Sequence, residues 1–429
     1  MAGVTASSTQ DAIDAVWRIE SARLIAGLAR LTRDVGLAEE LAQDALVAAL
    51  EQWPESGVPR NPGAWLMTTA KRRAIDLFRR NERYERKLDE IGRGQQVDQA
   101  IAPDFDVALD EQHIEDDLLR LVFTACHPVL STEARVALTL KMLGGLKTEE
   151  IARAFLVKES TIAQRIVRAK KTLADAKVPF EVPEGEDRIA RLASVLEVIY
   201  LIFNEGYSAT AGDDWMRPGL CEEALRLGRI LAGLAPQEPE VHGLVGLMEI
   251  QASRSAARTE PGGKPILLLE QDRSRWDQLL IGRGLAALER AEAIGPGLGP
   301  YSAQAAIAAC HARARTPEET DWIRIAALYQ GLAKLNPSPV VELNRAVAVS
   351  MAFGPAAGLE IVDVLTAEPT LARYHLLPSV RGDFLAKLGR FDEARQEFER
   401  AADLTANGQE RTLLLNRAAD CTRELSDSP

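Results

Sequence analysis

The stretch TEEIARAFLVKESTIAQRIVRAKK, residues 148–171, constrains the fold more than any other. Ile151, Phe155, Val157, Ile162 and Ile166 are spaced to pack two short helices across a turn, and Ala152 is small where those helices would cross. The second helix is expected to start at Ser160. Its outward stripe is then Thr161, Gln164, Arg165, Arg168 and Lys171, three or four residues apart. Such a stripe suits a DNA major groove, because Arg forks onto guanine, Gln pairs with adenine and either basic residue neutralises phosphate. The helix start at Ser160 would itself attract phosphate. Position 156, where many such turns place glycine, is Leu156.

The rest of the chain follows the same helical period, so an all-α fold is expected. Leu37, Leu41, Ala45, Ala48 and Ala49 recur at helical spacing between Gly36 and Trp53, with Glu39, Glu40, Gln43, Asp44 and Glu51 on other faces. Pro54 is expected to stop that helix, since the residue before proline resists the α conformation. After a Pro/Gly loop to Pro62, a second helix is expected over about 64–83, carrying Trp65, Leu66, Ala70, Ile75 and Leu77. Ser131, Thr148 and Ser160 are read as N-caps of three further helices, and Gly144-Gly145 as the break between the first two.

Charge divides the chain more sharply than hydropathy does. The net charge is -12, which excludes a protein coated all over by nucleic acid. Yet residues 71–88 hold eight Lys/Arg against three acids, and residues 141–178 hold nine against four. Between them, residues 89–117 hold one Arg against ten acids. Two basic islands separated by an acidic stretch point to two nucleic-acid contacts joined by a tether. The plainer alternative is two solvated helix faces. On the first island Lys71, Arg72, Arg79, Arg80 and Arg83 would meet a phosphate backbone, and Trp65 is either a core anchor or a stacking platform for an unpaired base. The acidic face of Glu39, Glu40, Gln43 and Asp44 is either a dock for a basic protein surface or simply solvated.

Taken together these segments resemble a bacterial RNA polymerase sigma factor of the extracytoplasmic-function (ECF) class. GLAEELAQDALVAALEQWP is similar to the helix with which that family grips the polymerase clamp, NPGAWLMTTAKRRAIDLFRR to the helix that opens and reads the -10 element, and the helix-turn-helix to the -35 reader. The resemblance implies that Glu40, Gln43 and Asp44 face core RNA polymerase. It places Trp65, Lys71, Arg72, Arg73, Asp76, Arg79 and Arg80 in the -10 helix, and Ser160, Thr161, Gln164, Arg165, Arg168 and Lys171 on the -35 helix. The family often has Asn seven residues after the Trp, where this chain has Arg72, so an Asn-based reading of a flipped -10 base does not carry over. The implied organisation is a sigma domain over 11–88, an acidic flexible linker over 89–113, and a helix-turn-helix sigma domain over 114–177.

An acidic, Ala/Leu-rich remainder follows, over 184–429. RLASVLEVIYLIFNEGYSA, LLLEQDRSRWDQLLI, YSAQAAIAACHA and PSPVVELNRAVAV resemble an ECF subgroup with a long tetratricopeptide-like extension, whose members are often encoded beside small DGPF-motif, YCII-related proteins and generally lack an evident anti-sigma factor. Gly382, Leu388, Gly389, Phe391, Ala394, Phe398 and Ala401 sit at tetratricopeptide positions, with a weaker echo through Trp322, Tyr329 and Pro337. Stacked pairs of this kind form solenoids that bind peptides or proteins, or brace neighbouring domains. In the polar run 271–277, Asp272, Arg273, Arg275 and Trp276 form either a regulatory clamp, with the arginines on carboxylates, or a salt-bridged turn capping the next helix. Asn204, Glu205 and Tyr207 mark a helix end or a pocket rim, and Asn344 and Arg345 a groove or exposed positions.

Little points to catalysis. There is no phosphate-binding glycine loop, and the five histidines and four cysteines are scattered. Cys126-His127 would ligate metal, sense oxidation or, more simply, pack. No catalytic residue, metal or cofactor is expected. The first residues show no basic flank before a long apolar stretch, and no apolar run reaches bilayer-spanning length. A reduced, cytoplasmic protein with no membrane contact is therefore expected. Two other functions share much of this pattern: a helix-turn-helix regulator that does not act as a sigma factor, and a tetratricopeptide adaptor whose basic helices dock proteins.

Overall fold

The computed structural model describes residues 2–90, 114–209, 216–260 and 265–427. The described residues form helices α1 to α18 and no strand; one isolated antiparallel bridge joins Thr259 and Pro265. They divide into two compact units, Met1–Val198 and Ile199–Pro429. The expected linker lies almost wholly outside the described residues.

In the first unit, α1 (Ala2–Thr32), α2 (Val35–Ser56) and α3 (Pro62–Glu90) pack on one another. Arg33 turns the chain at φ 53°, and Asp34 starts α2 by accepting hydrogen bonds from the Gly36 and Leu37 amides at 2.7 and 3.0 Å. Pro54 does not stop this helix, as had been expected. It sits inside α2, which runs on to Ser56 and ends where Gly57 takes φ 80° and donates its N–H to the Trp53 carbonyl. A proline near a helix end forfeits one hydrogen bond, which the last turn can forgo. Leu24, Ile25, Leu28, Leu41, Trp53 and Leu66 fill the core. Each large side chain so buried contributes about 1.5–3 kcal/mol.

The same unit continues with α4 (Ile114–Ala125), α5 (Thr132–Met142), α6 (Thr148–Ala154), α7 (Glu159–Asp175) and the start of α8 (Gly185–Tyr207). Ser131 caps α5 by accepting from the Ala134 amide. Thr148 and Ser160 do not act as caps, contrary to expectation: Lys147 and Lys158 hold the cap positions, and Glu150 reaches back to the Lys147 amide at 2.7 Å. The two groups of helices are fastened together. Arg30 of α1 meets the buried Asp117 of α4 at 3.1 Å, Arg18 meets Glu150 at 3.0 Å, and Lys147 meets Asp14 at 3.0 Å. Gly145, at φ 64°, lies against α1 so closely that a Cβ there would stand 2.7 Å from Ser21 Oγ.

The second unit runs through α9 (Pro218–Leu234), α10 (Pro239–Ala252), α11 (Gln278–Ile294), α12 (Pro300–Arg313), α13 (Trp322–Leu335), α14 (Pro339–Phe353), α15 (Pro355–Leu365), α16 (Leu376–Lys387), α17 (Phe391–Leu404) and α18 (Gly408–Asp427). From α9 onward each helix packs on the next. Proline at the first position of α9, α10, α12, α14 and α15 fixes where each begins without forfeiting an intrahelical bond. In the pair α16–α17, Gly382 faces Phe398; a Cβ on Gly382 would stand 2.9 Å from that ring. Leu343, Val362, Phe384, Ala394, Phe398 and Ala401 share one core there.

Candidate nucleic-acid and polymerase interface

The helix-turn-helix is α6 and α7. Ile151 and Ala152 of α6 and Ile162 and Ile166 of α7 are buried between them. The turn passes through Leu156 at φ 51°, in the left-handed region, with its side chain exposed. Burying Ile162 and Ile166 turns the opposite face of α7 outward. Ser160, Thr161, Gln164, Arg168 and Lys171 are exposed and Arg165 is half-buried. One column of α7 was not foreseen. Lys170 follows Ile162 and Ile166 in register, and its ammonium pairs with Glu39 of α2.

Glu39 is itself buried, and Lys141 of α5 stands 3.9 Å from it. Burial holds the Lys141 ammonium below the ordinary lysine range, against the attraction of Glu39. Gln43, expected to face polymerase, instead gives its amide to Glu39. Glu40 and Asp44 are exposed on α2.

On α3, Arg72, Asp76, Arg79, Arg80 and Arg83 are exposed, and Arg83 Nε donates to the Arg79 carbonyl at 3.2 Å. Trp65 is half-buried, edge-on to the buried Trp53 with ring centroids 5.3 Å apart. The contact with Trp53 fits the core-anchor alternative, while part of Trp65 stays open to solvent. Two expected DNA residues are engaged by protein. Lys71 is only 8% exposed, because it shares the helix face of Ala70 and Ala74. Arg73 pairs with Asp44 across α2 and α3 at 3.2 Å.

The polar run before α11 is a turn that caps the next helix, as one of the two alternatives had it, but without the expected arginine–carboxylate pairing among the described residues. Among the described residues Arg273 engages no carboxylate: it is buried and donates to the carbonyls of His311 and Ala314 at 2.9 and 2.8 Å and to Thr320 Oγ1 at 3.0 Å. Asp272 caps its own turn on Ser274, Arg275 is exposed, and Trp276 is buried under the Arg273 guanidinium at 5.1 Å. Asp277 caps α11. Glu205, near the end of α8, pairs with Arg217. Asn344 is exposed, and Arg345 pairs with Glu342. Cys126 is buried against Thr139, its thiol pushed up to about 11, and His127 Nδ1 accepts the Val129 amide. No helix among the described residues is long and apolar enough to cross a membrane.

Comparison with known proteins agrees with this geometry. Residues 19–84 match Sigma-70 region 2, residues 120–173 match Sigma-70, region 4, and residues 191–292 match a family of unknown function, DUF6596. The chain is 45% identical over 383 residues to Uncharacterized protein R00370 of Rhizobium meliloti, covering 89% of each. The chain belongs to the family of that rhizobial protein. Sigma factors share its first part at lower identity. The probable ECF RNA polymerase sigma factor SigI of Mycobacterium tuberculosis is 23% identical over 188 residues, 44% of this chain and 63% of SigI. The ECF RNA polymerase sigma factor SigK of Mycobacterium ulcerans is 31% identical over 150 residues, 34% of this chain and 75% of SigK. The chain is thus ECF-like: α1–α3 fall in region 2, and α4–α7 in region 4.

Proposed function

We propose that the chain is an ECF-type sigma factor, which binds core RNA polymerase and directs initiation at particular promoters. The observation that carries this reading is the pair of open basic faces. Arg72, Arg79 and Arg80 stand clear on the region 2 helix, and Gln164, Arg168 and Lys171 stand clear on the region 4 helix. On this reading α7 enters the major groove at the -35 element, where Arg165 and Arg168 meet guanine edges or phosphate and Gln164 meets adenine. The N-terminal end of α7, with Ser160 and Thr161, takes a phosphate. The arginines of α3 hold the -10 element as it opens, while Glu40 and Asp44 meet a basic polymerase surface. The work is recruitment and strand opening, without covalent chemistry. The second unit is a tetratricopeptide-like regulatory or stabilising domain, whose helix pairs would hold a protein or peptide.

Run-off transcription with purified core polymerase and genomic templates tests the reading. Promoter-specific transcripts that depend on the chain are expected. Operator binding without any transcript would make it an ordinary helix-turn-helix regulator. Unchanged output from Arg165→Ala with Arg168→Ala would make it an adaptor.

A further inference from the structure

Three arginines of the second unit lie buried near one another: Arg254, Arg258 and Arg273. Two of them are accounted for. Arg273 is bonded to two carbonyls and a hydroxyl. Arg258 donates to the Tyr207 carbonyl, lies 3.4 Å over the Tyr207 ring and reaches Met216 Sδ at 3.6 Å. Arg254 is different. It is 8% exposed, yet among the described residues its guanidinium donates no hydrogen bond and joins no carboxylate, and its Nε is sealed from solvent without a partner. Glu249, five residues earlier on α10, pairs with Arg229 through Oε1 at 2.8 Å, and its Oε2 is buried without a partner.

A buried charge without a counter-ion is among the costliest things a fold can hold. The rings of Tyr207 and Trp276, each 5.8 Å from the Arg254 guanidinium carbon, offset part of that cost, as does the nearby C-terminal end of α10. Among the described residues the Arg254 guanidinium donates a hydrogen bond to neither. Other buried polar atoms of the second unit are unpaired as well, the acceptors Glu249 Oε2 and Gln271 Oε1 among them. The indole Nε1 of Trp276 is a buried donor with no partner. His311 Nδ1 is also unpaired, on an imidazole held neutral by burial and by the charges of Arg254 and Arg273.

We propose that Arg254 anchors a binding site for a small carboxylate, with Tyr207 and Trp276 as its walls and Trp276 Nε1 and His311 Nδ1 as further hydrogen-bonding groups. The chemistry selects the ligand. One uncommitted guanidinium supplies one positive charge in a planar fork, the complement of a flat monoanion. A phosphate dianion would call on a second cation, and Arg258 and Arg273 are already engaged. The site lies in the second unit and stands whether or not the chain acts as a sigma factor.

Thermal unfolding of the full chain with benzoate, with hippurate (which presents the carboxylate of a peptide end) and with inorganic phosphate at matched ionic strength provides the test. Benzoate or hippurate should raise the midpoint saturably and phosphate should not; the stronger of the two carboxylates distinguishes a free acid from a peptide terminus. Arg254→Met should abolish that shift and leave the ligand-free midpoint unchanged or higher, because an unpaired buried charge is gone. Arg254→Lys, which keeps the charge and loses the fork, should weaken binding at least tenfold. A lower ligand-free midpoint in Arg254→Met would make the residue a structural strut and overturn the proposal. So would the absence of any shift with either carboxylate, an equal shift with phosphate, or undiminished binding in Arg254→Lys.

Discussion

Glu39 and Lys170, 131 residues apart in the chain, form a partly buried ion pair that joins α2, the expected polymerase-gripping helix, to α7, the proposed -35 helix. Regions 2 and 4 therefore share an internal charge contact on faces turned away from the exposed basic residues. Removing one partner of such a pair leaves the other without compensation. Glu39→Gln should cost about 3 kcal/mol in urea unfolding. The double variant Glu39→Gln with Lys170→Met should recover part of that loss, and full additivity of the two single changes would show that the pair is not coupled.

Leu156 occupies a left-handed turn for which a side chain is poorly suited. Leu156→Gly should raise stability by about 1 kcal/mol, visible as a higher thermal midpoint. Promoter affinity should not change, since the Leu156 side chain is exposed and lies outside the proposed reading stripe of α7.

Arg165→Ala and Arg168→Ala should each cost about 1–3 kcal/mol of binding where they read a base, with relaxed preference at that position. Where one of them meets phosphate instead, the loss should be uniform across sequences and the salt dependence shallower by about one charge. Competition binding to promoter variants at several salt concentrations separates the two. Lys71→Ala should act otherwise. As a buried residue it should lower stability while leaving the salt dependence of DNA binding intact.

His311 gives the second unit an acid sensitivity. Burial, then the charges of Arg254 and Arg273, push its pKa down to about 3. Below about pH 6.5 the unfolded chain takes up a proton that the folded one refuses, so stability falls as pH falls from there towards 3. Up to about 2 kcal/mol should be lost between pH 6.5 and 5. Urea midpoints at pH 7, 6 and 5 should fall in the parent and flatten in His311→Gln; parallel curves would place the proton uptake elsewhere.

Local pattern made the helix-turn-helix legible, because Ile162 and Ile166 announce the buried face of α7 and so the exposed one. The same register carries a further signal. Lys170 continues the Ile162–Ile166 column, and a lysine on an apolar column needs an acid. Lys71, between Ala70 and Ala74 on α3, repeats the lesson: a basic island does not place every one of its charges outward. Boundaries were less legible, since a cap depends on backbone geometry that Lys158 and Ser160 could each have supplied. Arg273 was out of reach altogether. Its acceptors, the carbonyls of His311 and Ala314, lie 38 and 41 residues away and are main-chain groups that every residue carries.

Asp44 and Arg73 bind each other across α2 and α3, and so tie together the two faces proposed to meet polymerase and DNA. A partner that claims the Asp44 carboxylate sets a guanidinium loose on α3 in the same event. If the proposed roles of α2 and α3 hold, occupation of one helix would leave the other with an uncompensated positive charge, and the two binding events would be linked through one pair of side chains.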